Sequence, residues 1–265
     1  AWSFRPMYKF KGKKQDSIKQ NEANIINQAD TCVYVTNGLR DLYVNTYGSH
    51  NSYVIENGYI DHESDEPADE FFVSTIHELK IQKKLVIGFF GSGSIGYPGK
   101  HKELTPIIKA INDDSELRKK IHLIVQGTIK IKSEKNNYSS VTILPSSNNS
   151  IIHKHMSLVD VGLSIFDDPP DYSVAGIGGK TYDYIRAGIP ILGISDPNSI
   201  SLMQLINEVG GVHANIRNTF EIQTQLHYLL ECFNKHESLT RLVKVRDIKK
   251  YSRSFKYKKY LRVLD

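Results

Sequence analysis

Short apolar runs of strand length alternate with helix-patterned segments along most of this chain, and no other feature narrows its fold so far. The runs fall at 31–36, 52–55, 84–90, 121–126, 141–144, 160–165, 190–194 and 210–213. Between them, helical spacing of apolar residues marks 17–29, 38–47, 101–113, 149–157, 180–187, 199–208 and 218–233. Each apolar strand followed by an amphipathic helix is the signature of parallel strands with helices on both faces of the sheet. The expected class is therefore α/β, with a Rossmann-like doubly wound parallel sheet.

The alternation is interrupted once, and the interruption divides the chain. Residues 61–82 open on an acidic, turn-rich stretch containing Asp61, Glu63, Asp65, Glu66, Pro67, Asp69 and Glu70. This segment reads as a linker, with room for a short helix from Phe71 to Leu79. From residue 83 to 247 a fresh unit with about six strands follows, enough for a complete Rossmann-like domain. Residues 1–60 hold only two strands and two helices, too little for an independent core, so they form part of a second α/β unit. The tail 248–265 repeats Ile248, Tyr251, Phe255, Leu261 and Leu264 at helical spacing and reads as a terminal helix docked by one face.

Composition excludes several classes. The longest apolar run, Leu85 to Phe90, is far short of the roughly 18 residues that a bilayer-spanning helix needs. Cys32 and Cys232 have no disulfide-framework spacing, which fits a reducing cytoplasm. The formal charge of +5, from 34 Lys and Arg against 29 Asp and Glu, is too mild to point to nucleic acid. The tail from Arg241 is strongly basic with interleaved aromatics. Peripheral contact with the inner face of an anionic membrane is one reading of it; a solvated amphipathic face is the preferred one.

Two segments could attract an anion. Gly91, Gly93 and Gly96, with Ser92 and Ser94 between them, follow the strand at 84–90, where a tight turn lets a phosphate approach backbone amides. Gly178-Gly179-Lys180-Thr181 opens a helix, where unpaired N–H groups and the helix dipole favour negative charge. Lys180 would add a charge-assisted hydrogen bond of roughly 1.5–3 kcal/mol, about ten- to a hundredfold in affinity. Asp183 falls one turn into the same helix, on the side of Gly179 and Lys180.

These segments, with others in a fixed order, resemble the retaining GT-B glycosyltransferases that use nucleotide-sugar donors in bacterial polysaccharide synthesis. The stretch Gln28 to Thr36, with Asn57-Gly58 after it, is similar to the end of that family's N-terminal domain. Ile87 to Gly96 resembles the first strand and glycine loop of its C-terminal domain, Leu123 to Gly127 a further segment of it, and Leu158 to Leu163 its Ala-Asp-Val-Gly strand. Gly178 to Ile191 looks like the donor-site signature Lys-x-x-Glu-Tyr-x-x-x-Gly-x-Pro, with Asp183 in place of the glutamate. Tyr251-Ser252-Arg253 resembles the segment that crosses back onto the N-terminal domain. The pattern covers about residue 22 to the end. Because the chain starts without methionine inside this pattern, it reads as a donor-binding fragment of a longer enzyme.

The resemblance implies a nucleotide-sugar co-substrate, UDP- or GDP-linked, no cofactor or metal, and a glycan or lipid-linked acceptor. It implies that Gly91, Ser92, Gly93, Lys102, Gly179, Lys180 and Thr181 surround the donor diphosphate, with Lys100 the second choice for Lys102. Asp183 would accept hydrogen bonds from the two ribose hydroxyls, for which a carboxylate is suited. Backbone groups at Pro145 and Ser146 would meet the base. This sequence departs from the family at two positions. Ala175 stands where many members carry a sugar-binding glutamate, leaving Asp171 or Asp168 to meet the sugar, and serine replaces the arginine of the glycine loop. The same architecture leaves a nucleotide-sugar 2-epimerase as one alternative, though no matching acid/base cluster is found, and these departures support another, a non-catalytic glycan- or partner-binding protein.

Other constellations carry less. Gly179-Lys180-Thr181 imitates a P-loop ending, but Val174 replaces the opening glycine. His153-Lys154-His155 lacks metal-ligand partners and is expected to form a solvated helix face. Ser164 and Ser173 have no nucleophile-elbow context.

Overall fold

The computed structural model describes residues 13–61, 66–98, 100, 102–132, 139–167, 176–235 and 239–264. In chain order, the elements before the main sheet are α1 (Lys13–Gln28), β1 (Cys32–Tyr34), α2 (Asn37–Tyr47), β2 (Ser52–Val54) and α3 (Glu70–Ile81). Next come β3 (Leu85–Phe90), β4 (Gly93–Ile95), α4 (Thr105–Asp113), α5 (Ser115–Lys120), β5 (Ile121–Gln126) and β6 (Ile129–Ile131). Then follow β7 (Val141–Leu144), α6 (Asn149–Met156), β8 (Val161–Ile165), α7 (Gly179–Ala187), β9 (Ile191–Ser195) and α8 (Ile200–Val209). The last are β10 (Gly211–Asn215), α9 (Thr219–Asn234) and α10 (Arg253–Leu264).

Six of these strands form one sheet in the order β10-β9-β8-β3-β5-β7, every neighbouring pair parallel. Counted from β3, this is the 3-2-1-4-5-6 order of the Rossmann fold, so the α/β doubly wound sheet expected from the alternation is present. The residues dictate two covered faces. Successive side chains of a strand point to opposite sides, and every residue of β3 and β5 is buried. Leu85, Ile87 and Phe89 join Ile107, Ile111, Leu117, Ile222 and Leu226, from α4, α5 and α9, on one face. Val86 and Phe90 join Phe72, Ile76, Met156, Tyr182 and Leu202, from α3, α6, α7 and α8, on the other.

Residues 13–61 build the partial second unit. β1 and β2 pair in parallel, Cys32 opposite Ser52, and Ile26, Tyr34 and Tyr43 form a small apolar cluster. Glu22 on α1 accepts hydrogen bonds from Tyr43 (3.1 Å) and Tyr47 (2.7 Å) on α2. The chain's end ties the two units together. Tyr59 N–H donates to the Tyr251 carbonyl (3.1 Å), Arg253 N–H to the Tyr59 carbonyl (2.8 Å), and the Arg253 side chain to the Gly58 carbonyl (3.0 Å). Lys256 on α10 pairs with Glu56.

Four details differ from the sequence reading, each for a local reason. Within the 61–82 linker, α3 runs from Glu70 to Ile81 and buries Phe72, Ile76 and Leu79, so it packs as part of the larger unit. The helix expected at 101–113 starts only at Thr105, because Lys102 is left-handed (φ 59) and Glu103 bridges to Ser94. A separate α5 follows, capped by Asp114, whose carboxylate accepts from the Glu116 and Leu117 N–H groups. The histidines of α6 are not a solvated face. His155 is fully buried, stacked on Phe72 at 4.0 Å, with Nδ1 paired to Gln126 Oε1 (2.8 Å). Its Nε2 accepts from the Asp69 N–H (3.0 Å), so these two partners assign the Nδ1–H tautomer.

Candidate functional site

β3 and β8 lie side by side, and the sheet's connections run away from them in opposite directions. Outside their carboxyl ends a doubly wound sheet leaves a crevice, because the following helices cover opposite faces. Gly91 follows β3 and Phe166 follows β8 at this point. The first turn of α7 arrives beside them. A Cβ on Gly178 would stand 2.7 Å from the Phe166 ring, so the chain entering α7 rests on that ring. Lys102 is brought to the same ring, its Nζ 5.9 Å from the centroid. Hence Lys102, far from α7 in sequence, converges on the α7 N-terminus through Phe166.

The space is open where a ligand would need it. A Cβ added to Gly91 or to Gly179 would meet no atom within 4 Å. Lys180 is partly exposed, and its Nζ lies 3.3 Å from Asp183 Oδ2. Asp183 in turn lies 3.9 Å from His153 Nδ1 on α6 and lines a cleft of about 230 Å³ between α6 and α7. Ser150, His153, Lys154 and Arg186 line the same cleft, so cationic and hydroxyl groups surround the carboxylate. Lys180 is the more exposed partner of the pair, 30% against 12% for the Asp183 side chain.

Not every predicted residue reaches this space. Thr181 is buried, shares a 2.7 Å hydrogen bond with Ser164 of β8 through its hydroxyl, and donates its N–H to the Gly178 carbonyl. It anchors α7 to the sheet and does not face a diphosphate. The amides of Gly91 and Gly93 donate to the Gln126 (2.9 Å) and Thr128 (3.1 Å) carbonyls. What the loop presents there is room, because those two N–H groups are already spent. The loop continues as β4, paired in parallel with β6, and so is a short second sheet beyond β3 and β5. Ser92 lies between Gly91 and Gly93 at the mouth of this loop. Pro145 and Ser146 are exposed at the end of the edge strand β7, next to Gly127, whose N–H donates to the Leu144 carbonyl (3.2 Å). Asp171, like Asp168 and Ala175, lies outside the described residues. Lys100 is exposed, with its N–H donating to the Tyr97 carbonyl (3.1 Å).

Some contributors carry no sequence signal. Phe166 reads as an ordinary strand end until it is seen touching both Lys102 and Gly178. Glu103 reads as a surface acid, yet it is 2% exposed and collects the glycine-loop donors. Tyr184 was visible as a motif tyrosine, but its role was not. Its hydroxyl reaches the Leu163 carbonyl (3.1 Å), the Gly88 carbonyl (3.3 Å) and the Phe90 N–H (3.4 Å), fastening α7 across β3 and β8. Burial pushes that phenol's pKa up, so it stays a neutral hydroxyl.

A Rossmann unit with an open, cation-bearing helix start at its switch point, and a terminal helix crossing back onto a partial α/β unit, has the GT-B glycosyltransferase fold. Solved structures bear out that likeness. Anabaena HepE in complex with UDP and glucose matches with a TM-score of 0.66 at 13% identity, over 94% of this chain and 66% of that one. Sucrose-phosphate synthase from Thermosynechococcus elongatus matches with a TM-score of 0.65 at 10% identity, over 97% of this chain and 64% of that one. WaaG, a glycosyltransferase involved in lipopolysaccharide biosynthesis, matches with a TM-score of 0.63 at 14% identity, over 93% of this chain and 67% of that one. The chain thus spans about two thirds of the length of these proteins. No protein-family model matches the sequence, and no curated protein sequence matches it significantly.

Proposed function

We propose that this chain is the donor-binding part of a glycosyltransferase that moves a sugar from a nucleotide diphosphate to a glycan or lipid-linked acceptor in surface polysaccharide synthesis. The observation that carries the reading is the Lys180–Asp183 pair in the first turn of α7, a cation and a carboxylate 3.3 Å apart, with the carboxylate lining the cleft between α6 and α7. In this reading Lys180, Lys102 and the Gly179 end of α7 hold the diphosphate, above the open faces of Gly91 and Ser92. Asp183 accepts the ribose hydroxyls, and the base lies toward Pro145 and Ser146. Asp171 remains the proposed contact for the sugar.

The chemistry follows from charge. As the bond between the anomeric carbon and the diphosphate oxygen breaks, negative charge grows on the leaving diphosphate while the sugar passes to an acceptor hydroxyl. Lys180, Lys102 and the α7 dipole oppose that charge where it develops, which is how such groups lower a barrier. Lys180 would trade its Asp183 contact for phosphate, leaving the carboxylate to the ribose. Retention of configuration, and an acceptor site on the unit to which residues 13–61 belong, are part of the proposal. HepE with UDP and glucose supports a UDP-linked donor, and WaaG supports the polysaccharide setting.

The partner proposal extends to the membrane. Among the described residues no helix is long and apolar enough to cross a membrane. On α10, however, Phe255, Tyr257 and Leu261 are 47%, 44% and 66% exposed beside the exposed Lys258 and Lys259, a pattern suited to peripheral contact with an anionic inner leaflet. Co-sedimentation with phosphatidylglycerol vesicles but not with phosphatidylcholine vesicles tests it.

Calorimetry with UDP, GDP and ADP tests the donor site. Saturable binding of one uridine or guanosine diphosphate, lost in a Lys180→Ala, Asp183→Asn double variant, is the expected result. No binding at millimolar nucleotide overturns the reading.

A further inference from the structure

Glu103 stands in an unusual place for a carboxylate. It is 2% exposed, at the point where the chain turns from the glycine loop into α4. Its Oε2 accepts from the Ser94 hydroxyl (2.7 Å) and the Tyr97 N–H (3.0 Å). Its Oε1 accepts from the Gly96 N–H (2.9 Å), the Thr105 N–H (3.1 Å) and the Thr105 hydroxyl. Five donors from both sides of the loop therefore meet on one side chain. A charged acceptor this well surrounded offsets its desolvation, and no neutral side chain of that shape could accept all five.

The backbone next to it is drawn into the same ring. Ser94 N–H donates to the Lys102 carbonyl (3.1 Å), and Leu104 N–H donates to the Ser94 carbonyl (2.8 Å). Between those bonds Lys102 takes φ 59, one of two non-glycine residues with positive φ among the described residues. A long side chain does not adopt that conformation unless its surroundings impose it. The consequence is the direction of the ammonium: Lys102 Nζ lies over the Phe166 ring at the switch point, 5.9 Å from its centroid.

We propose that Glu103 is a positioning residue for the donor diphosphate: by gathering the donors of residues 94–97 and 105 it imposes the left-handed turn at Lys102 and so aims that ammonium into the crevice. The proposal rests on the donor-site reading and adds a residue that never touches the ligand. Its charge, rather than its bulk, does the positioning. In Glu103→Gln the shape is kept, but the amide NH2, itself a donor, faces the donors from which a carboxylate oxygen had accepted.

The test is a double-variant cycle read by calorimetry with whichever of UDP and GDP binds the wild-type chain. Glu103→Gln and Lys102→Ala are each expected to weaken binding about tenfold, the effect of losing one charge-assisted contact. The combined variant is expected to bind no more weakly than Lys102→Ala alone, because the two act through one ammonium. A merely structural role for Glu103 would lower the unfolding midpoint and leave the Lys102 dependence out. Unchanged affinity in Glu103→Gln, or losses that add in full, overturns the positioning role while leaving the donor site standing. Failure of the wild-type chain to bind either nucleotide overturns both. Should Glu103→Gln not fold, Ser94→Ala, which removes one donor from the same carboxylate, enters the same cycle with the same expectations.

Discussion

Lys180 and Asp183 stand one turn apart on α7, Nζ and Oδ2 separated by 3.3 Å, so that a cation and a carboxylate meet at the start of one helix. A ligand that offers a diphosphate to the ammonium and a diol to the carboxylate would draw the two groups apart and satisfy both. If Asp183 holds the diol, it discriminates by hydroxyl count. Wild-type protein should bind UDP (or GDP) tighter than the 2′-deoxy nucleotide, by roughly tenfold for one lost hydrogen bond to a charged group. Asp183→Asn should weaken the ribonucleotide about ten- to a hundredfold and erase the preference. Equal affinity of the wild-type chain for both nucleotides would count against the ribose role.

The contact of Tyr184 with the sheet is a second measurable feature. A Cβ on Gly162 of β8 would lie 2.4 Å from the Tyr184 ring, so the strand has room for that ring only as glycine. Gly162→Ala should destabilise the chain by about 1–3 kcal/mol through overpacking. Tyr184→Phe keeps the ring but strands the polar atoms of Leu163 and Phe90, at a cost of roughly 1–3 kcal/mol. Urea unfolding of both variants checks this, and unchanged midpoints would mean that α7 is held by other contacts.

Gly58 predicts how the tail is attached. A Cβ there would stand 2.4 Å from the Tyr251 carbonyl oxygen, which is backbone and cannot swing away. Gly58→Ala should therefore loosen the segment 251–253 from residues 58–59 and speed proteolysis within the basic tail. Nucleotide affinity should change less than tail protection, since residues 58–59 reach the α6–α7 cleft only through Arg186, which lies over the Tyr59 ring. Protection of the tail equal to wild type would show that Lys256–Glu56 and the remaining contacts suffice.

Acid should weaken the fold through buried imidazoles. Burial, with Lys84 adding to it, lowers the His122 pKa to about 4, and burial lowers those of His155 and His213 as well. A histidine whose folded pKa is depressed binds fewer protons folded than unfolded. Its contribution is complete above the unfolded value near 6.5 and drains away as the pH falls toward the folded value, about 4 for His122. Stability measured by urea at pH 7.5 and at pH 5 should thus be lower at pH 5. His122→Leu should show a smaller difference between the two, and an undiminished difference would assign the acid sensitivity elsewhere.

The doubly wound class was legible in the chain, and the reason is local. Leu85 to Phe90 and Ile121 to Gln126 are apolar throughout because both faces of a central parallel strand are covered. Gly178-Gly179-Lys180 marks an anion-attracting helix start because that property belongs to the first turn itself.

What remained illegible depends on partners distant in sequence. Whether Thr181 faces a ligand or Ser164 depends on how α7 rotates against β8. Whether His155 meets water or Phe72 depends on α3 folding back over α6, and no periodicity within α6 records that. Glu103 is ordinary in sequence and becomes distinctive only when Ser94, Gly96 and Thr105 close around it. The sequence by itself determined most of the elements, the sheet class and the helix start that attracts an anion, since each follows from residues within a few positions of one another. Only the tertiary structure decided which side chains face the crevice and which hold it open, because packing at the switch point joins groups that the chain keeps up to some ninety positions apart, as Tyr184 does with Gly88 and Phe90.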